Sequence, residues 1–298
     1  MPWYFFAAAP MFLYGVSNFV DKFLIEKKIK DPLAMVTLSG LVTGFLGLVI
    51  GFISGFRYLG ESQTVLMLMA GIFLIFYLIP YYKALKLDDV SRVAPLFQFI
   101  PVFTLILSTV FLKETLSTRQ TVGLVLVVVA GIILSAERLE SKLFRPRKAM
   151  WLMILSSFMY SCVLILFRFV VREAGYWTTL SWQYIGIGVG AISLLLLGRI
   201  RKSIKEGVGQ LKSSLPLISA NNGIALVADM SGSYAISLVA VPLVTIIGGI
   251  QPLIVLVYGL VLSLWFPKII KEDIRKPTII QKVASIIFIF IGLYLAYT

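Results

Sequence analysis

The sequence of 298 residues contains no histidine and a single cysteine, Cys162. A disulfide within the chain is therefore impossible, and the Cys/His ligand sets of zinc sites are missing. The histidine base that activates serine or cysteine nucleophiles is missing too, as is the ATP-binding pattern G-x-x-x-x-G-K-[ST]. From these absences we predict no metal, no cofactor, no enzymatic activity and no ATP-driven motor within the chain.

Charged residues are also scarce: they make up 14% of the chain, against 59% hydrophobic residues and a mean hydropathy of +0.96. A soluble domain of this size could not bury so much apolar surface, so lipid must be the solvent for much of it. The net charge of +13 would suggest nucleic acid in a soluble protein. Here the basic residues lie mostly in short loops between apolar runs, so we predict contact with anionic lipid headgroups and none with nucleic acid.

Ten apolar stretches are long enough to cross a bilayer, which takes about 20 residues. We predict spans at 3–24, 32–55, 63–85, 90–112, 119–136, 148–171, 177–197, 213–236, 239–265 and 278–297. The first is interpreted as a retained span, because a basic segment typical of signal peptides does not precede it. The loops near 198–212 and 266–277 are basic and short, so we expect no extramembrane domain.

The lysines and arginines are distributed unevenly between the two predicted sides of the membrane. Loops that follow odd-numbered spans hold 22 of the 27 basic residues. The positive-inside rule places these loops in the cytoplasm and both termini outside it. We predict an integral protein of a prokaryotic inner (plasma) membrane.

The two halves of the chain repeat each other weakly. Tyr14 and Tyr160 are 146 positions apart, as are Lys22 and Arg168. Further along, a shift of 151 aligns ALKLDDVSRV, at 84–93, with AISLVAVPLV and brings Pro101 onto Pro252. The alternative is that apolar segments align with one another through composition alone.

Five spans in each repeat is an odd number, so the second copy lies upside down relative to the first. We therefore predict an all-α membrane protein in which ten helices form two inverted five-helix repeats around a central cavity. The first repeat covers 1–140 and the second 141–298, with a boundary in the charged connector ERLESKLFRPRK at 137–148.

The segment APLFQFIPVFTLILSTVFLKETLSTRQTVGLVLVVVAGIIL, at 94–134, resembles the fourth and fifth helices of an EamA-type repeat of the drug/metabolite transporter superfamily. The shared marks are a mid-helix proline, a glutamate in the short turn and glycines in the last helix: Pro101, Glu114, Gly123 and Gly131. The second half keeps Pro252, but its turn is about ten residues longer. The resemblance implies a carrier for amino acids, other metabolites, sugar phosphates, nucleotide sugars or drugs.

Prolines and amides interrupt the fourth and ninth predicted spans. Pro95 and Pro101 flank Gln98, while Pro252 follows Gln251. Proline removes a backbone hydrogen bond and kinks the helix, and the freed carbonyls need another partner or a wet cavity. We predict that the two kinked spans wall a polar pocket, with the three prolines as hinges. The alternative is that proline is simply commoner in membrane helices.

A charge at the centre of a membrane helix costs on the order of 2.5–3.5 kcal/mol. Asp229 is the one acid that we place deep in the bilayer, as a proton carrier or as an anchor for a substrate ammonium. The alternative is a structural hub paired with Arg168 or Lys22. We expect those two cations and Arg92 to reach out to headgroups, although Arg92 could also meet a carboxylate at the cytoplasmic mouth.

The remaining candidates come from polar and aromatic residues within the spans. The predicted substrate-binding set is Tyr14, Asn18, Tyr77, Tyr81, Gln98, Tyr160, Gln183, Asn222, Asp229 and Gln251. Small-residue stripes predict close helix packing at Gly40, Gly44, Gly47, Gly51 and Gly55, and at Gly186 and Gly190. Glu114 is expected to cap or pair locally.

Together these features favour a secondary transporter, and in particular an exporter, of small metabolites such as amino acids that works by alternating access. Its expected partners are the substrate, membrane lipids and protons, and we expect a monomer or a weak dimer. Alternatives are a flippase for lipids or lipid-linked sugars and an antiporter for sugar phosphates or nucleotide sugars, which would need more cations in the cavity. A lipid-modifying enzyme is disfavoured because Asp88 and Asp89 are adjacent and diverge on a helix.

Overall fold

The computed structural model describes residues 2–28, 31–88, 90–135, 148–206, 208–265 and 276–297. These residues are almost wholly helical, with no strand among them. The helices are α1 (Trp3–Phe23), α2 (Pro32–Ile53), α3 (Glu61–Phe76), α4 (Leu78–Leu87), α5 (Val90–Val93), α6 (Phe99–Leu107), α7 (Thr118–Ser135), α8 (Lys148–Ala174), α9 (Tyr176–Leu195), α10 (Gly198–Glu206), α11 (Val208–Leu238), α12 (Val241–Ile247), α13 (Gln251–Trp265) and α14 (Lys276–Tyr297). Nearly all of the predicted connector and loop at 137–148 and 266–277, and Asp89, lie outside the described residues.

Local sequence signals set several helix ends. The carboxylate of Asp31 accepts a 3.0 Å hydrogen bond from the backbone N–H of Leu33, and Pro32 occupies the first position of α2. Both features are typical of a helix N-terminus. Gly175 alone separates α8 from α9 and has a φ of +80°, a conformation that glycine adopts without steric cost. The chain can therefore reverse direction within one residue.

Four helical segments of the described chain are long and apolar enough to cross a bilayer: Pro32–Ile53, Glu61–Leu87, Lys148–Ala174 and Val241–Leu262. A fifth is obtained if α9 is counted together with α10. Large apolar side chains such as those of Phe45, Phe52 and Phe111 are exposed on the outside of the bundle, as lipid contact requires. These features are those of an integral membrane protein. Each predicted span coincides with a helix or a run of helical segments, but ten crossings stay a prediction.

Glycines bring α2 and α9 into close contact. A Cβ atom on Gly47 would lie 2.7 Å from the backbone nitrogen of Ile185, and one on Gly44 would overlap the backbone of Gly188. The predicted close packing is therefore confirmed here. It is wrong for Gly55, which follows α2 with a φ of +77° and has open space around it.

The main helix pairs join the first half of the chain to the second. Helix α2 packs along α9, α7 along α14 and α1 along α11, while α8 packs against α3, α4 and α6. The largest buried apolar cluster accordingly contains residues from both halves, such as Met67 and Tyr184. The halves share one core, so each buries much of its apolar surface against the other.

The loop predicted at 198–212 is wrong, because its first part forms α10. This helix turns by 90° from α9. Ile200 is buried and Ile204 packs against the same core, while Arg199 and Lys202 are exposed. Isoleucines four residues apart on a basic segment are the pattern of an amphipathic helix that lies along a membrane surface.

Candidate functional site

A cavity of about 230 Å³ lies between the two halves of the chain. Its walls come from α1, α2, α3, α4, α6, α8, α9, α11, α12 and the first residue of α13. Helices α7 and α14 pack against each other and contribute no residue to the described lining. The cavity is therefore enclosed by the helices on which the sequence placed its polar candidates.

Both interrupted spans border this cavity. The segment Ala94–Gln98 before α6 and the segment Gly248–Ile250 before α13 are 3₁₀ helices, the tighter form that often marks a hinge. Gln98 and Gly248 both line the cavity, and the Nε2 of Gln98 donates a 3.1 Å hydrogen bond to the Gly248 carbonyl. Behind Gln98, a Cβ on Gly131 would overlap its side chain. The amide is thus held against the opposite bend.

The predicted hinge prolines occupy different environments. Pro101 lines the cavity, whereas Pro252 is buried without being part of the described lining. The side chain of Pro95, like that of Arg92, lies outside the described residues. Within the first of the two 3₁₀ segments, the carbonyl of Leu96 accepts a 3.5 Å hydrogen bond from the hydroxyl of Ser157 in α8. A hydroxyl of a neighbouring helix therefore satisfies backbone in the irregular segment, as the hydrocarbon interior demands.

At one end of the cavity, Asp21 of α1 is the centre of a buried hydrogen-bond network. Its carboxylate accepts a 2.7 Å bond from the Nδ2 of Asn221 and longer bonds of 3.4 Å from the hydroxyls of Tyr81 and Tyr82. Tyr81 also donates to the Oδ1 of Asn18 at 2.9 Å. Asp21 is only 6% exposed. Asp21 is thus a further buried acid, which the sequence pattern does not predict.

Asp229 of α11 also borders the cavity, and its carboxylate accepts a 2.9 Å hydrogen bond from the hydroxyl of Tyr184. The alternative, a pairing with Arg168 or Lys22, is wrong, because those cations bind other groups. Tyr77 and Tyr160 form a tilted aromatic pair in the cavity wall, with ring centroids 5.1 Å apart. Asp229 thus lies in an aromatic cavity, with a tyrosine hydroxyl as its partner.

The structure places nine of the ten predicted substrate-binding residues in the cavity lining, all except Gln183. Gln183 is 1% exposed, and its Oε1 has no hydrogen-bond partner. That the nine contact a substrate stays a prediction. Sequence reasoning missed Asp21, Tyr82 and Tyr184, which also line the cavity. Asp21 follows Tyr14 and Asn18 at helical spacing, a signal that could have identified it.

Lys22 and Arg168 do not reach out to headgroups as expected. The Nζ of Lys22 donates to the carbonyls of Leu85 and Asp88, at 2.6 and 2.9 Å, at the end of α4. Arg168 donates to the carbonyl of Ile236, at 2.7 Å, near the end of α11. The last carbonyls of a helix have no partner within it, and the two cations supply donors for them.

Glu114 pairs with distant residues rather than locally. Lys113, with a left-handed φ of +57°, ends the preceding helical turn. The carboxylate of Glu114 then contacts Arg168 at 3.0 Å, pairs with Arg172 and accepts a 3.1 Å bond from the backbone N–H of Val241. This outer cluster, defined as Glu114, Arg168, Arg172 and Val241, ties α8 to the start of α12.

Comparisons with known proteins agree with this architecture. A sequence profile described as the EamA-like transporter family matches residues 1–136. An uncharacterised protein of Methanocaldococcus jannaschii is 33% identical over 128 residues, which cover 41% of this chain and 88% of that protein. A solved crystal structure of a protein, 14% identical, superposes with a TM-score of 0.64 over 98% of this chain and 94% of the other. At that identity the superposition shows a shared fold alone.

Proposed function

The chain belongs to the EamA-like transporter family, and from this premise we propose that it is a secondary transporter that exports a small metabolite by alternating access. Amino acids are the first substrate class to test. The observation that carries this proposal is the cavity between the halves, lined by the irregular segments of both. Its volume of about 230 Å³ is slightly below the range of about 300–1,000 Å³ found for drug-sized ligands, which suits a small metabolite.

We also propose that the chain consists of two inverted repeats, 1–140 and 141–298. In this scheme the five spans of the first repeat are α1, α2, α3–α4, α5–α6 and α7, and those of the second are α8, α9, α11, α12–α13 and α14. Packing supports it, since α2 with α9 and α7 with α14 pair equivalent spans. Helix α1, the first span of its repeat, packs along α11, the third span of the other repeat. In the same way α8, the first span of the second repeat, packs against α3 and α4, the third span of the first.

Equivalent residues of the two repeats also make the same contact. Lys22 aligns with Arg168, and Leu85 aligns with Ile236, at the sequence shifts of 146 and 151. Lys22 donates to the carbonyl of Leu85, and Arg168 donates to the carbonyl of Ile236. A basic residue on the first span of each proposed repeat therefore binds the end of its third span. This shared contact supports the repeat over a chance alignment of apolar segments.

Two inverted copies around one site can rock about it and expose it to each side in turn. In this account the outer cluster at Glu114 closes the extracytoplasmic end. The contact of Lys22 with Leu85 and Asp88 closes the cytoplasmic end. The protein lies in a prokaryotic inner membrane with both termini outside the cytoplasm. The driving force for transport is a gradient of protons or of the substrate. The transporter works as a monomer or a weak dimer.

Counterflow in liposomes tests the proposal. Purified protein is reconstituted with a panel of unlabelled amino acids inside, and uptake of the labelled compound is followed. We expect accumulation with the intact chain and loss of accumulation with Gln98→Leu, which disrupts the cavity-lining contact. Correctly folded protein that gives no flux with amino acids or other small metabolites, and instead moves a lipid-linked sugar between leaflets, would contradict the proposal. The flippase alternative would then replace the metabolite exporter.

A further inference from the structure

The charges on the cavity wall have one sign. Asp21 and Asp229 line it, on α1 and α11, and no lysine or arginine does so among the residues that the structure describes. Lys22, which follows Asp21, and Arg168 donate instead to helix-end carbonyls, and Arg168 also pairs with Glu114. Buried carboxylates are costly unless an opposite charge or enough hydrogen bonds compensate them. The cavity therefore lacks a built-in positive partner for its two acids.

Unpartnered amide groups on the same wall indicate that a ligand completes the site. The Nδ2 of Asn18, the Oδ1 of Asn221 and the Oε1 of Gln98 have no hydrogen-bond partner. Their side chains line the cavity and belong to residues that are 5%, 3% and 2% exposed. Buried polar groups are normally paired. Two of the three free atoms are oxygens, which accept hydrogen bonds from a donor such as an ammonium.

The aromatic rings suit the same kind of ligand. Tyr77 and Tyr160 form one ring pair in the wall, and Tyr81 and Phe97 form another with centroids 5.3 Å apart. The faces of such rings attract cations. Acids, free carbonyl oxygens and ring faces are three independent features of the lining, and each of them stabilises positive charge.

We propose that the cavity binds an organic cation: a small molecule with one or more ammonium groups and no carboxylate. This inference rests on the proposed carrier function and puts amines in place of amino acids as the first substrate class to test. Amines and diamines rank first. Zwitterionic amino acids rank below them, because their carboxylate would meet two acids and no described cation.

The two acids lie at different levels of the cavity. Asn221, which donates to Asp21, is eight residues before Asp229 on the same helix. At 1.5 Å per residue that separation is about 12 Å along the axis of α11. An elongated molecule with a positive charge at each end therefore matches the cavity better than a compact monoamine.

Titration calorimetry on the full-length, detergent-purified chain tests this with three six-carbon probes that differ in charge. They are 1,6-diaminohexane, the zwitterion 6-aminohexanoate and the dianion adipate. We expect the diamine to bind at least about tenfold more tightly than the zwitterion, and adipate not to bind, because like charges placed side by side are costly. Equal affinity for the zwitterion or adipate, or no binding of the diamine at millimolar concentration, would overturn the proposal. This comparison needs no variant.

Variants then locate the binding. Asp229→Asn keeps the size of the side chain and an oxygen that can accept from Tyr184, but removes the charge. We expect it to weaken diamine binding by at least about tenfold, the loss typical of a charge-assisted hydrogen bond. Glu173→Gln removes an exposed carboxylate outside the cavity and should leave affinity unchanged. Equal affinity of the Asp229→Asn variant and the unmodified chain would contradict a role for this acid.

A flux measurement separates the two proposals. Labelled 1,6-diaminohexane and labelled 6-aminohexanoate are compared in proteoliposomes that contain the same preparation. Binding of the diamine without flux of any small metabolite would leave the cation site standing and refute the carrier. Flux of zwitterions or anions without any preference for the diamine would keep the carrier and refute the cation site.

Discussion

The side-chain amide of Gln98 donates a 3.1 Å hydrogen bond to the backbone carbonyl of Gly248. The two residues are 150 positions apart and lie in the 3₁₀ segments that interrupt the fourth and ninth predicted spans. A side chain in one half thus satisfies the irregular backbone of the other, and both residues line the cavity. Rocking of one half against the other would change this bond.

Replacing Gln98 by leucine removes the donor and leaves the Gly248 carbonyl without it. That carbonyl keeps the backbone N–H of Gln251 as a donor, so the net loss is that of one hydrogen bond, about 0.5–1.5 kcal/mol. We expect the free energy of unfolding to fall by that amount and metabolite uptake to be lost. Unfolding in detergent and uptake into liposomes measure the two effects.

The control for this prediction is Gln183→Leu, which changes another buried glutamine outside the described lining. We expect this variant to keep uptake once the amount of folded protein is matched. Equal loss of uptake in both variants would show that general destabilisation, and not the bond between the bends, is responsible.

A second prediction concerns Glu114, whose carboxylate contacts Arg168 and Arg172 and accepts from the N–H of Val241. Its side chain is 9% exposed and that of Arg168 is 11% exposed. Glu114→Gln removes the charge from a nearly buried pair, and we expect a loss of about 1–3 kcal/mol in unfolding free energy.

Thermal unfolding of the detergent-purified protein measures that loss, with Glu173→Gln as its control. Glu173 is exposed and accepts a hydrogen bond from Gln63, so its substitution should change unfolding free energy by less than about 0.5 kcal/mol. A Glu114→Gln protein as stable as the control would mean that the outer cluster contributes no stability.

Much of the fold could be predicted because the bilayer imposes a length on each apolar run. The stretch at 32–55, for example, coincides with α2, and Asp31 marks its start. Helix α10 escaped the prediction because it has few apolar residues, so its mean hydropathy resembles that of a basic loop. Only the spacing of Ile200 and Ile204 distinguishes α10 from such a loop.

The site was only partly predictable, because a sequence shows which residues share a helix face but not what faces them. Polarity within a span identifies Tyr14 and Asn18, whereas Asp21 stands beside Lys22 near the span's end and is not singled out by it. By default, the sequence assigns Lys22 and Arg168 to headgroups. Their actual partners are carbonyls at the ends of other helices, which no local pattern reveals.

A third prediction compares two helical glycines. A Cβ on Gly44 would overlap the backbone of Gly188, while one on Gly223 would meet nothing within 4 Å. We expect Gly44→Ala to separate α2 from α9 and destabilise the protein by about 1–3 kcal/mol. Gly223→Ala should be neutral or stabilising by up to about 1 kcal/mol, because alanine is the better helix former. Thermal unfolding of both variants tests this prediction. A Gly44→Ala protein more stable than the Gly223→Ala protein would contradict the described packing.

A fourth prediction concerns orientation. In a Cys162→Ala background, we expect a cysteine at Tyr58 to react with an impermeant thiol reagent added outside intact cells. A cysteine at Lys202 should react only after the cells are opened. Both side chains are exposed, at 66% and 76%, so access to the reagent is set by the side of the membrane. The opposite pattern would invert the proposed topology.

The central claim is that the two bends border an aqueous path for the substrate. Ile100 lies two residues after the first bend, at the start of α6, and lines the cavity. The most direct test is therefore the reactivity of Ile100→Cys in the Cys162→Ala background. A charged, impermeant methanethiosulfonate reagent is added to either side of the reconstituted protein. We predict labelling from both sides, because alternating access, as proposed, opens the cavity to each side in turn. A residue that reacts from neither side, and only with an apolar reagent dissolved in the lipid, would contradict the account.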